Sequence, residues 1–165
     1  MNKKNYIFSI LLFLSFSFGA FSQSKKDIRN NKIVSETAVI TITESGKEIS
    51  YKDSYTLYDK NGNVIEQTEY NRDGSIKNKE TNKFDANKNK IETTEYNEKD
   101  KTTTKTTFVY DKNDNKILET EYDNKGKIIK QSAYIYNNKG FKTEKRTVDG
   151  NKKLIAIKKH TYATK

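Results

Sequence analysis

The sequence predicts an all-β fold: an antiparallel meander of tandem β-hairpin repeats, laid out as a single-layer or gently coiled sheet. Three observations carry that expectation. Aromatic residues recur at Tyr58, Tyr70, Phe84, Tyr96, Tyr110, Tyr122 and Tyr136, with spacings that alternate between 12 and 14, so that two steps make a 26-residue unit. An Asp or Asn follows every aromatic, as a repeated turn requires. Between turns only seven to nine residues remain, enough for a strand and too few for a stable helix.

Residues 1–22 read as a secretory signal. Lys3 and Lys4 precede an apolar stretch from Ile7 to Phe18, and Ala20-Phe21-Ser22 before Gln23 forms a small-x-small cleavage site. Five of the eight phenylalanines leave with this segment, and the net charge falls from +10 to +8. No transmembrane span is expected after cleavage. Residues 23–32 are polar and charged and are expected to form a flexible leader. Residues 33–57 read as a degenerate N-terminal capping unit: Ala38 to Thr43 is a β-branched strand, Glu44-Ser45-Gly46-Lys47 a turn, and Ile49 to Tyr58 the returning strand.

Residues 58–165 hold the repeats. The turn-defining residues are Asp59 with Gly62, Asn71 with Gly74, Asp123 with Gly126, and Asn137 with Gly140. An Asx side chain opening a type I turn accepts backbone N–H groups further along, and glycine three residues later supplies the left-handed residue before the bulge. Asp100 and Asp114 stand where that glycine is missing and tolerate the conformation; Lys88 and Lys152 suit it less. In the 14-residue steps Ile128, Lys130, Ser132, Tyr134 and Tyr136 should share a face, as should Leu154, Ala156, Lys158, His160 and Tyr162. In the 12-residue steps Ile65 and Tyr70 have opposite parity, which calls for a bulge.

With 32% apolar residues, many of them in the signal, the chain has little to bury. Tyr ladders and Lys/Glu/Thr cross-strand pairs must therefore stabilise the sheet. There is no cysteine, hence no disulfide to add. Basic residues alternate with Glu and Thr through the strands, the pattern of a solvated face with interleaved ion pairs; a polyanion-binding surface is the second reading.

Tyr58-Asp59-Lys60-Asn61-Gly62-Asn63-Val64-Ile65, Tyr110-Asp111-Lys112-Asn113-Asp114-Asn115-Lys116-Ile117 and Tyr122-Asp123-Asn124-Lys125-Gly126-Lys127-Ile128 resemble the YD repeat of RHS-type proteins, Tyr-Asp-x-x-Gly-x-aliphatic. The resemblance runs from Tyr58 to about Leu154. It implies an exported or cell-surface β-hairpin repeat, a shell around a toxin in large members and a carbohydrate-binding wall in others. The family's repeat is shorter than 26 residues, and this chain has too few units to enclose a cargo. The signal and the Lys/Asn/Ile-rich composition resemble exported proteins of the Bacteroidota.

Catalysis has little to work with. His160 is the only histidine, and its slot is filled by Phe108 and Tyr134 in preceding units, so it reads as an aromatic-ladder position. The glutamates recur with the repeat, whereas an acid/base pair needs two distinct environments. A calcium loop is suggested by Asp59-Lys60-Asn61-Gly62-Asn63, but the twelfth position, where a bidentate Glu is needed, is Tyr70. Neither a cofactor nor a metal is expected, and no nucleic acid partner in an exported protein. Tyr70, Tyr96, Tyr122, Tyr134 and Tyr136 are the candidates for stacking on sugar rings. The expectation is a non-enzymatic binding or adhesion module for a surface polysaccharide or protein, with the uncharged run Ala38 to Thr43 as an edge for self-association. The alternatives are a structural spacer or envelope component and, remotely, a hydrolase.

Overall fold

The computed structural model describes residues 24–163; the signal segment assigned to 1–22 lies outside them. A short helix α1 (Lys25–Asn30) precedes ten strands: β1 (Ser35–Glu44), β2 (Lys47–Tyr58), β3 (Val64–Tyr70), β4 (Ile76–Phe84), β5 (Lys90–Asn97), β6 (Thr102–Tyr110), β7 (Lys116–Tyr122), β8 (Ile128–Tyr136), β9 (Lys142–Asp149) and β10 (Leu154–Lys159). The strands form one sheet in sequence order, every neighbour antiparallel, with β1 and β10 at open edges. The antiparallel hairpin meander is thus what the sequence predicts. Among the described residues no helix is long and apolar enough to cross a membrane.

The leader is not the flexible segment expected of it. Ser24 caps α1 by accepting the Asp27 N–H through its hydroxyl at 3.2 Å, and Ile28 is 1% exposed. The helix seats on the first repeat turn, where Lys25 Nζ donates to Asn63 Oδ1 at 3.0 Å and a Cβ on Gly62 would stand 2.5 Å from the Lys25 carbonyl oxygen. Ile28, the one apolar side chain of the helix, is buried against that turn.

The repeat turns close as type I turns followed by a left-handed residue. In the first, Gly62 N–H donates to Asp59 O and Asp59 N–H to Asn63 O, while Asp59 Oδ1 accepts the Asn61 and Asn63 N–H groups at 2.8 and 2.9 Å. Those bonds outweigh the effect of partial burial and hold the Asp59 carboxyl below its ordinary pKa. Positive φ falls on Gly62, Gly74, Gly126, Gly140, Lys88, Asp114 and Lys152. Asp100 departs from the expectation, because Asn97 stays in β5 paired with Thr102. The reversal therefore starts at Glu98, and Lys101, with φ of 51°, takes the left-handed place. Ser45 and Gly46 both have positive φ, the type I′ loop of a tight hairpin, so β1 and β2 close differently from the repeats.

The register explains why successive aromatics alternate faces. Just before Tyr58, Tyr70, Phe84, Tyr110, Tyr122 and Tyr136 the pairing slips by one residue. Leu57 then pairs with Glu66 and Val109 with Leu118, so the next aromatic, an even number of residues on, points the opposite way. The slip occurs in 14-residue steps as well as 12-residue ones, contrary to the expected parity. It sets Ile128, opposite Tyr122, apart from the face of Lys130, Ser132, Tyr134 and Tyr136, and likewise detaches Leu154, opposite Val148, from Ala156 and Lys158.

Tyr58, Phe84, Tyr110 and Tyr136 accordingly line one face, called here the front, and Tyr70, Tyr96 and Tyr122 line the back. Between them the most buried strand positions are polar: Thr68, Asn82, Thr93, Thr120 and Ser132. Thr93 Oγ1 donates to Asn82 Oδ1 at 2.8 Å, and Ser132 and Thr147 share a bond at 3.0 Å. Long Lys, Glu and Tyr side chains fold over these short ones from both sides, so the sheet needs no second layer.

Candidate functional site

The front-face aromatics are first of all pins. The hydroxyls of Tyr110, Tyr136 and Tyr162 donate to the carbonyl oxygens of Lys90, Lys116 and Lys142 at 2.8, 2.8 and 2.7 Å, each reaching back 20 residues. Phe84 lacks the hydroxyl, and there Asn82 Nδ2 reaches the equivalent carbonyl, Val64 O, at 3.3 Å. Tyr58 instead donates to Glu36 Oε2 at 2.9 Å; burial first, and then that carboxylate, push its pKa up to about 12.

The five residues expected to stack on sugars do not form one row. Tyr70, Tyr96 and Tyr122 are on the back, Tyr134 and Tyr136 on the front. Several rings are already covered by the chain's own ammonium groups: Lys52 Nζ lies 4.3 Å from the Tyr70 ring centre and Lys105 Nζ 5.1 Å from that of Tyr122. Tyr96 is tied through its hydroxyl to Glu98.

Tyr134 is the centre of the densest arrangement of chemistry in the molecule. It is 8% exposed, and Lys116, Lys142 and Lys145 place their ammonium groups 4.9, 4.8 and 5.3 Å from its ring centre. Lys116 also lies 4.9 Å from the Phe108 ring. Beneath them Glu119 accepts from Lys116 Nζ at 2.6 Å and from the Tyr134 hydroxyl at 2.8 Å, with Lys145 Nζ at 4.0 Å. The slips at Tyr110 and Tyr136 build this site, because they place Lys116 opposite Tyr110 and Lys142 opposite Tyr136, on the same face as Tyr134.

The ionisation states follow from the surroundings. Burial pushes the Tyr134 phenol up, and the Glu119 carboxylate that accepts its proton pushes it further. Burial acts upward on Glu119 too, but the Lys116 and Tyr134 hydrogen bonds and the nearby lysine charges outweigh it and hold the carboxyl below the ordinary range. At neutral pH the site is a neutral phenol, one carboxylate and three ammonium groups. Its three lysines outnumber its one carboxylate, so it has positive charge left over.

That excess belongs to one half of the front face only. Strands β1 to β5 carry Glu36, Glu69, Glu80 and Glu95 there against Lys90, apart from the facing pair Glu44 and Lys47 at the strand ends. Strands β6 to β10 carry Lys116, Lys130, Lys142, Lys145 and Lys158 against Glu119, Glu121 and Asp149. Lys130 is matched by Glu121 at 2.6 Å, but Lys145 stands directly opposite Lys158, a like-charge pair that destabilises a sheet unless an anion lies between.

The sequence reading missed Lys116, Lys142 and Lys145 as site residues and took Glu119 only as one of the recurring ladder glutamates. A signal was present: Lys90, Lys116 and Lys142 share the 26-residue interval, as do Phe108, Tyr134 and His160. What the interval could not give is the slip that brings the lysine column and the aromatic column onto one face.

No family model matches the chain, and no curated protein matches it. Among solved structures, one described as the crystal structure of TarM is 24% identical over 79% of this chain, with a TM-score of 0.31. This chain spans 26% of the length of that one.

Proposed function

We propose that the chain is an exported, non-enzymatic binding module of the periplasm or cell surface whose front face, in strands β7 to β10, holds an anionic surface polysaccharide. The observation that supports this is the ring of Lys116, Lys142 and Lys145 around Tyr134, in which the single Glu119 does not balance the charge. Lys116 on β7 and Lys142 and Lys145 on β9 converge on that ring, and Lys130 on β8 and Lys158 on β10 continue the lysines across neighbouring strands about 4.8 Å apart, a spread that suits a ligand with repeated carboxylate or phosphate groups better than a single small anion. The Tyr134 ring is covered and offers no open stacking platform, so recognition is by charge, with apolar contact from the lysine stems.

The test is binding of a carboxylated polysaccharide, polygalacturonate, against neutral dextran. Polygalacturonate should bind and dextran should not. The double variant Lys142→Gln, Lys145→Gln should weaken binding roughly ten-fold, consistent with the loss of two half-buried charge contacts, and raised salt should weaken binding of the unaltered protein. Equal binding of both polymers, or undiminished binding by the variant, would remove the polysaccharide reading and leave the structural spacer.

A further inference from the structure

We infer that the chain assembles head to tail with further copies of itself, the outer edge of β10 of one copy receiving the outer edge of β1 of the next as an added antiparallel strand. Both edges are open, and an open edge presents a row of unpaired backbone N–H and C=O groups. Neither is guarded in its middle: β1 has no charge from Thr37 to Thr43, and β10 none from Leu154 to Ile157. Every residue of β10 is exposed, Ile155 by 55% and Ile157 by 48%, and Val39 on β1 by 60%.

The strand count sets the geometry. Ten antiparallel strands in sequence order leave β1 and β10 running in opposite directions. A second copy's β1 laid antiparallel on β10 therefore continues the alternation of the meander and leaves that copy in the same orientation, with its own β10 open. The contact is heterologous and does not close on itself, so it generates a chain of copies rather than a dimer.

Charge selects this contact over the two symmetric ones. The pairing slip on β10 falls at Ile155, which leaves Ala156 to Lys159 as its regular stretch. Setting Ala156 against the second copy's Ala38 puts Lys158 against that copy's Glu36 and keeps front-face residues on the front in both. Glu36 then stands beside Lys158 and relieves the opposition between Lys158 and Lys145. Pairing β1 with β1 about Ile40 would instead set Glu36 against Glu44, and pairing β10 with β10 would join two lysine-rich halves.

Sedimentation velocity of the full chain at rising concentration tests this. Species larger than a dimer should grow with concentration. Glu36→Lys and Lys158→Glu should each move assembly to roughly five-fold higher concentration, the size expected when one exposed charge pair is reversed, and the double exchange should recover it. Tyr58→Phe, which removes the hydrogen bond to Glu36 without changing any charge, should assemble like the unaltered protein and separates loss of local structure from loss of the contact. A monomer at every concentration, a species that stops at the dimer, or a double exchange no better than its parents would overturn the inference. None of these variants alters Lys142 or Lys145, so a failure here is distinct from failure of polysaccharide binding.

Discussion

At Tyr134 and Glu119 a phenol and a carboxylate share one hydrogen bond under three ammonium groups, and the charge states of the pair set its response to pH. Glu119 is held below its reference value of 4.5, so the unfolded chain binds a proton there more readily than the folded one. The stability it contributes is complete above about 4.5 and is lost as the pH falls through the lower folded value. Tyr134 shifts the other way: its folded pKa lies above the unfolded value of 10.0, so its contribution is complete below 10 and fades only in stronger alkali. Thermal melts of Glu119→Gln should accordingly show a shallower acid decline than the unaltered chain, while the two curves run parallel from pH 6 to 8. An unchanged acid slope would mean that Glu119 does not sense its lysines.

At the scale of the hairpin the turns divide by who occupies the left-handed place. A Cβ on Gly126 would meet nothing within 4 Å, so Gly126→Val, at φ of 78°, should cost only the backbone strain of a branched residue, about 2 kcal/mol. Lys88, at φ of 70°, already bears that strain, and Lys88→Gly should stabilise by about 0.5 kcal/mol once the added freedom of the unfolded chain is set against it. Equal shifts in melting temperature would contradict this division. These turns were legible in the sequence because Asx and Gly act through their own backbone. The slip was only half legible, since a parity mismatch at Ile65 and Tyr70 demands an extra residue but does not show that the 14-residue steps carry one as well. The site was less legible still: Lys116 and Lys142 fall in with Tyr134 only through that slip, and α1 forms because Ile28 meets a turn far from it in sequence. Local rules reach the hairpin; the faces depend on how hairpins add.

At the scale of the whole sheet, among the described residues each strand pairs only with its neighbours in sequence. Stability should then be close to a sum of hairpin and interface terms, and it should fall toward the ends, where a strand has one neighbour instead of two. The two ends are not equivalent. β1 is a ten-residue strand paired with β2 from Ser35 to Glu44, with one slip between Ala38 and Val39, and the turn beside β2 is covered by α1 through Gly62 and Asn63. β10 is six residues long, pairs with β9 across a slip, and is exposed throughout. The segment after it is held by the His160 N–H donating to Thr143 O at 3.0 Å, by the Tyr162 hydroxyl on Lys142 O, and by the Phe141 and Tyr162 rings, 5.1 Å apart. Hydrogen exchange on dilute protein should therefore show the slowest amides in β4 to β8, intermediate ones in β1 and β2, and the fastest strand amides in β10. Tyr162→Phe should speed exchange in β9 and β10 and leave β4 to β6 unchanged. Uniform protection from β1 to β10, or a Tyr162 effect that spreads to the central strands, would show that the sheet opens as one cooperative unit and that its stability is not a sum over neighbours.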